Sequence, residues 1–198
     1  MSTNSNDRVE FPSQKTQDLS MRSAQDTDFL GPTLRKIVDW ETLLVWREQW
    51  RQAGKTVVWT NGCFDLLHVG HVRSLQAAKA LGDVLVVGLN SDASVRQLKG
   101  LGRPIVPDGE RAEVLAAFTA VDAVIIFEEL TPEAAIAKLR PDIHCKGADY
   151  APPHGKPIPE ASIVASYGGR VEFLPLFTQS STTALVERIR TDVNLSTS

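Results

Sequence analysis

The chain is 198 residues long, 42% hydrophobic and 23% charged, an ordinary globular composition with room for one good core and hardly two. Its 21 Lys and Arg stand against 24 Asp and Glu, a net charge of -3, which excludes the basic footprint of a nucleic-acid binder and favours a small-molecule partner. Two cysteines, Cys63 and Cys145, cannot build a disulfide framework, no apolar run reaches the roughly 20 residues of a membrane span, and, with no charged n-region followed by an apolar h-region at the start, secretion is not expected. A reducing cytoplasm is the expected setting.

Residues 1–31 hold few large apolar side chains and are expected to be a disordered tail, because they bury too little surface to offset the entropy of ordering. Residues 32–54 read as a helical segment: Leu43, Trp46 and Trp50 recur at helical spacing, with Asp39 as N-cap and Gly54 past the end. Burial of this aromatic stripe against the following domain, residues 55–198, is the expected use of it, with a partner surface as the alternative.

From Thr56 onward short β-branched runs alternate with helical segments. Strands are predicted at 56–60, 84–88, 121–127, 142–146 and 171–174, and helices at 69–81, 109–118, 132–139, 160–167 and 182–189. Near-continuous apolar strands separated by helices imply a parallel sheet covered on both faces, so the expected fold is an α/β, three-layer Rossmann-like domain. Ligands of such sheets bind outside the carboxyl ends of the strands, which directs attention to the loops after Thr60, Leu89, Phe127, Lys146 and Leu174.

The most informative of these loops runs from Thr60 to His71 and contains His68-Val69-Gly70-His71 where the first strand gives way to a helix. A helix start presents unpaired N–H groups and positive dipole potential, a seat for phosphate. Gly70 removes a side chain where a nucleotide must come close, and two imidazoles three residues apart supply donors to a phosphate chain without any protein nucleophile. Cys63, Asp65, His68 and His71 also admit a zinc reading, but there is no second cysteine pair nearby, and no protein-bound metal is expected.

This run resembles the signature of the cytidylyltransferase-like nucleotidyltransferases, and the likeness extends from about Lys55 to Arg190. Within them the chain is most similar to the bacterial D-glycero-β-D-manno-heptose 1-phosphate adenylyltransferases, found alone or fused to a kinase, and the stand-alone form is the expectation here. The matching segments are Thr60 to Asp65, Leu89 to Val95, Leu98-Lys99-Gly100 with Arg103-Pro104, Glu110-Arg111, Lys146 to Tyr150, and Ser181-Thr182-Thr183. The glycerol-phosphate cytidylyltransferases differ in carrying an Arg-Thr lead-in where this chain has Leu176 to Ser180.

The resemblance implies ATP as cosubstrate, Mg²⁺ held mainly by phosphates, a sugar phosphate as acceptor, and a homo-oligomer. It implies catalytic roles for His68, His71 and Lys99, and a nucleotide site made by Asn61, Gly62, Phe64, Asp65, Gly70, Lys146, Gly147, Asp149, Ser181, Thr182 and Thr183. Asn90, Asp92, Arg103 and Arg111 are expected at the acceptor. Each has a plainer reading beside it: Asp92 caps the next helix, Arg111 pairs with Glu110 or Glu113, Lys146 pairs with Asp149, and Ser181 and Thr182 only cap. His144 and His154 belong to no motif and read as structural and surface residues. Cytidylyl transfer to an alcohol phosphate, adenylyl transfer to a flavin or pantetheine phosphate, and a non-catalytic nucleotide sensor are the competing functions.

Overall fold

A computed structural model describes residues 31–175 and 182–195. Five parallel strands form one sheet: β1 (Val57–Gly62), β2 (Val84–Asn90), β3 (Ala123–Phe127), β4 (Ile143–Gly147) and β5 (Arg170–Leu174), in the order β3-β2-β1-β4-β5. The helices are α1 (Trp40–Gln52), α2 (Val69–Lys79), α3 (Asp92–Lys99), α4 (Asp108–Ala116), α5 (Glu133–Leu139), α6 (Ala161–Ser166) and α7 (Thr182–Leu195). The expected three-layer arrangement is present, and α3 is an additional helix inside the stretch after β2.

Period-two alternation along the strands sorts the core into two layers. Val58, Leu85, Val87 and Val124 face Leu75 of α2 and Leu115 of α4, whereas Val57, Trp59, Val86 and Ile125 face Leu43 of α1 and Ile136 of α5. Helix α1 is capped by Asp39, whose carboxylate accepts from Thr42 N at 2.8 Å, and its stripe lies on the second layer, with Trp46 and Trp50 edge to face at 5.9 Å. Just before α1, Lys36 and Val38 exchange backbone bonds with Val124 and cover the outer edge of β3.

The chain builds outward from β1 to β2 and β3, then crosses back to β4 on the other side of β1. The carboxyl ends of β1 and β4 therefore flank the point where strand order reverses, the place where this topology leaves a crevice.

Candidate active site

The β1–α2 turn is shaped by its own side chains. Phe64 sits at φ 45°, a region that L-residues adopt only when their surroundings fix it. Its ring lies 5.4 Å from that of His71 and so close to Gly62 that a Cβ there would stand 3.2 Å away. Gly62 thus makes room for the Phe64 ring, while Gly70 is buried in the first turn of α2.

His68 is the N-cap of α2, and two reciprocal bonds fix both imidazoles. Gly70 N donates to His68 Nδ1 at 3.1 Å, and His68 N donates to His71 Nδ1 at 3.3 Å. In a neutral imidazole one nitrogen accepts and the other carries the proton, so each ring that accepts at Nδ1 is a donor at Nε2. The rings lie 4.0 Å apart and line a cleft of about 1050 Å³. Burial, helped by the neighbouring His68, lowers the His71 pKa to about 4, so that at neutral pH this residue offers an N–H rather than a charge.

The start of α7 meets this turn. Thr182 Oγ1 donates to Leu66 O at 3.1 Å, bringing a second helix N-terminus to the same cleft. Ser181 and the Leu176–Ser180 stretch lie outside the described residues, as does the side chain of Thr183. Lys99, the last residue of α3, is exposed on the cleft wall and enters none of the ion pairs among the described residues.

Other expected contacts are engaged with protein instead. The side chain of Asp65 is 1% exposed and accepts from Arg103 Nε at 2.5 Å, Ile105 N at 2.8 Å and Val106 N at 3.0 Å. It therefore clamps the 100–107 arm to the β1–α2 turn, leaving Arg103 on the cleft wall. Arg111 is buried and donates to the carbonyls of Val106, Cys63 and Asn90 and to Asp92 Oδ1 at 2.6 Å. Its partner is thus Asp92, not Glu110 or Glu113, and neither Arg111 nor Asp92 lines the cleft. The cap of α3 is Ser91, which accepts from Ser94 N, rather than Asp92. Asn90 lines the cleft, with its amide nitrogen bonded to Ser94 Oγ and Glu129 O.

At the end of β4, Lys146 and Gly147 line the same cleft with Tyr150. Lys146 does not pair with Asp149: its ammonium bonds Glu160 Oε1 at 2.5 Å, and Asp149 pairs with Lys156 at 2.6 Å, away from the cleft lining. Glu160, 1% exposed, also meets His144 Nε2 at 3.0 Å. Burial pushes the Glu160 carboxyl up, but the bonds from His144 and Lys146 outweigh it and hold the pKa at about 2.

Glu160 is absent from the residues expected at the site. The available signal was indirect: His144 and Lys146 are two apart on a strand, hence on one face, and a cation on a buried face needs an anion nearby.

Among the described residues no helix is long and apolar enough to cross a membrane, and no cluster of His, Cys, Asp and Glu is arranged to hold a metal ion. Residues 59–188 match the Cytidylyltransferase-like family. The chain is 56% identical over 139 residues to the bifunctional protein HldE of Syntrophotalea carbinolica, covering 70% of this chain and 28% of that one. With HldE of Pelobacter propionicus it shares 51% identity over 154 residues, 78% of this chain and 31% of that one. It thus spans about a third of the length of the curated relatives it matches.

Among solved structures, a lipopolysaccharide core biosynthesis protein from Thermoplasma volcanium aligns with TM-score 0.51 and 27% identity, covering 64% of this chain and all of that one. A pantoate-beta-alanine ligase from Francisella tularensis, with TM-score 0.50 and 13% identity over 74% of this chain and 68% of its own, shares the fold alone. A five-stranded parallel sheet, a His-x-Gly-His turn at its switch point and a family match over most of its length make this chain a member of the cytidylyltransferase-like family of nucleotidyltransferases.

Proposed function

We propose that the chain joins the AMP part of ATP to D-glycero-D-manno-heptose 1-phosphate, giving an ADP-sugar and pyrophosphate. The observation that carries the chemistry is the pair of Nε2–H donors on His68 and His71, beside two helix starts in one open cleft. The sugar is supported by the similarity to bifunctional HldE proteins and by the likeness to a lipopolysaccharide core biosynthesis protein.

In this reading a phosphate oxygen of the sugar attacks the α-phosphorus in line, the bond from that phosphorus to the bridging oxygen breaks, and pyrophosphate leaves with the electron pair. Little is asked of the protein beyond position and charge. His68 and His71 donate to the oxygens on which charge builds, and Lys99 brings an ammonium to the leaving pyrophosphate. Asn61, Gly62, Phe64 and the Lys146–Gly147 wall hold the nucleotide, with Thr182 at its phosphates, while Asn90 and Arg103 face the acceptor. Asp65, Asp92 and Arg111 serve by fixing the loops that carry these groups. The nearby carboxylates of Asp65 and Asp92 are engaged by arginines, which leaves Mg²⁺ to enter with the phosphates as part of the cosubstrate.

The test is pyrophosphate release from ATP and from CTP against a panel of phosphorylated acceptors. Release that requires ATP and the heptose 1-phosphate supports the proposal. Turnover confined to CTP, or to an alcohol, flavin or pantetheine phosphate, refutes it.

A further inference from the structure

The cleft is also lined, at the carboxyl end of β4, by a buried charge cluster that the transfer chemistry does not use. Lys146 is 12% exposed in its side chain, and its ammonium is held twice: by Glu160 Oε1 at 2.5 Å and by the face of Tyr150, 4.7 Å to the ring centroid. Glu160 is itself fixed by His144 Nε2 at 3.0 Å, on the same oxygen. Glu160, Lys146 and Tyr150 all line the cleft at the carboxyl end of β4. The carboxylate stays ionised throughout the physiological range, and the ammonium is thus neutralised where it stands.

This arrangement has a consequence for the nucleobase. An ammonium on a largely dry wall is a strong donor to a carbonyl oxygen. Cytosine and uracil present such a carbonyl at position 2, whereas adenine has none; what adenine shares with cytosine is the exocyclic amine and the unprotonated ring nitrogen beside it. We propose that Glu160 is a specificity-determining positioning residue: by holding Lys146 on Tyr150, it withholds from a pyrimidine carbonyl a donor that would favour CTP over ATP. The idea rests on the proposed function, in which the Lys146–Gly147 wall holds the nucleotide, and takes that wall to border the base. Its readout is nucleotide binding alone, so it does not depend on which sugar is the acceptor.

The test is calorimetric titration of the full chain with ATP and with CTP, Mg²⁺ present and no acceptor added. In Glu160→Gln the ammonium loses its counter-charge, and the preference for ATP over CTP falls about tenfold, the size expected for one hydrogen bond to a charged donor. In the double variant Glu160→Gln with Lys146→Met the donor is gone, and the preference returns to the wild-type value. Lys146→Arg is an independent check that leaves Glu160 in place. One carboxylate oxygen cannot absorb five N–H groups, so this variant shifts the preference in the same direction.

A merely structural Glu160 weakens both nucleotides equally, and so does a direct bond from Glu160 to the shared exocyclic amine. The proposal is overturned if the ratio stays within about twofold of wild type in Glu160→Gln and Lys146→Arg. It is equally overturned if the fall persists in the double variant.

Discussion

Replacing Arg111 by Lys separates two uses of a buried cation. Arg111 reaches Val106 O at 2.9 Å, Cys63 O at 2.5 Å, Asn90 O at 2.9 Å and Asp92 Oδ1 at 2.6 Å, joining the β1–α2 turn, the end of β2, the start of α3 and the 100–107 arm. An ammonium keeps the charge but cannot span four acceptors lying in different directions, so about three bonds are lost. At about 1.5–3 kcal/mol for each bond to a charged group, a simple sum overshoots what disrupting buried pairs is known to cost. The expected loss is about 3–5 kcal/mol.

For a chain of this size that lowers the melting temperature by roughly 10 °C, well within reach of a urea or thermal unfolding series followed by circular dichroism. If Arg111 instead served a substrate anion, Lys would preserve most of the stability and the change would appear in KM. A loss below about 1 kcal/mol, with a raised KM for one substrate, would refute the buried-staple account.

His71 in the free protein is expected to titrate with a midpoint about 4 and to show the Nε2–H tautomer, both readable from imidazole ¹⁵N shifts. A midpoint above 6, or a proton on Nδ1, contradicts the geometry. The linkage has a definite sign: the unfolded chain takes up this proton from about 6.5 downward. The stabilising contribution is therefore complete above that pH and is lost as the pH falls toward 4. Gly88→Ala places a Cβ into the ring of Trp59, which is fully buried and packed on Phe127. Overpacking of this kind costs about 1–3 kcal/mol, and an unchanged unfolding midpoint would contradict the placement of Trp59.

Strands β1, β2 and β3 were legible because each is rich in β-branched and aliphatic residues whose alternate members serve opposite faces, and the structure moves their ends by only one or two positions. The turn at His68 was legible for a local reason: the capping bonds join residues two and three apart, so the motif carries its own geometry. Arg111 and Asp92 were harder. Their pairing spans 19 residues and joins the start of α3 to the first turn of α4. The Asp65 clamp on Arg103 spans 38 residues, and Glu160 meets His144 across 16. In each case the sequence shows a charge but not its counter-charge, so the choice between a ligand and an internal partner rests on tertiary packing.

The central claim is that the two imidazoles of the β1–α2 turn act on the phosphates of the nucleotide. Purified His71→Ala, assayed for pyrophosphate release with ATP and the heptose 1-phosphate, is predicted to lose on the order of 100-fold or more in kcat while unfolding at a temperature close to that of the wild type. Turnover near the wild-type rate from a properly folded variant would contradict the account.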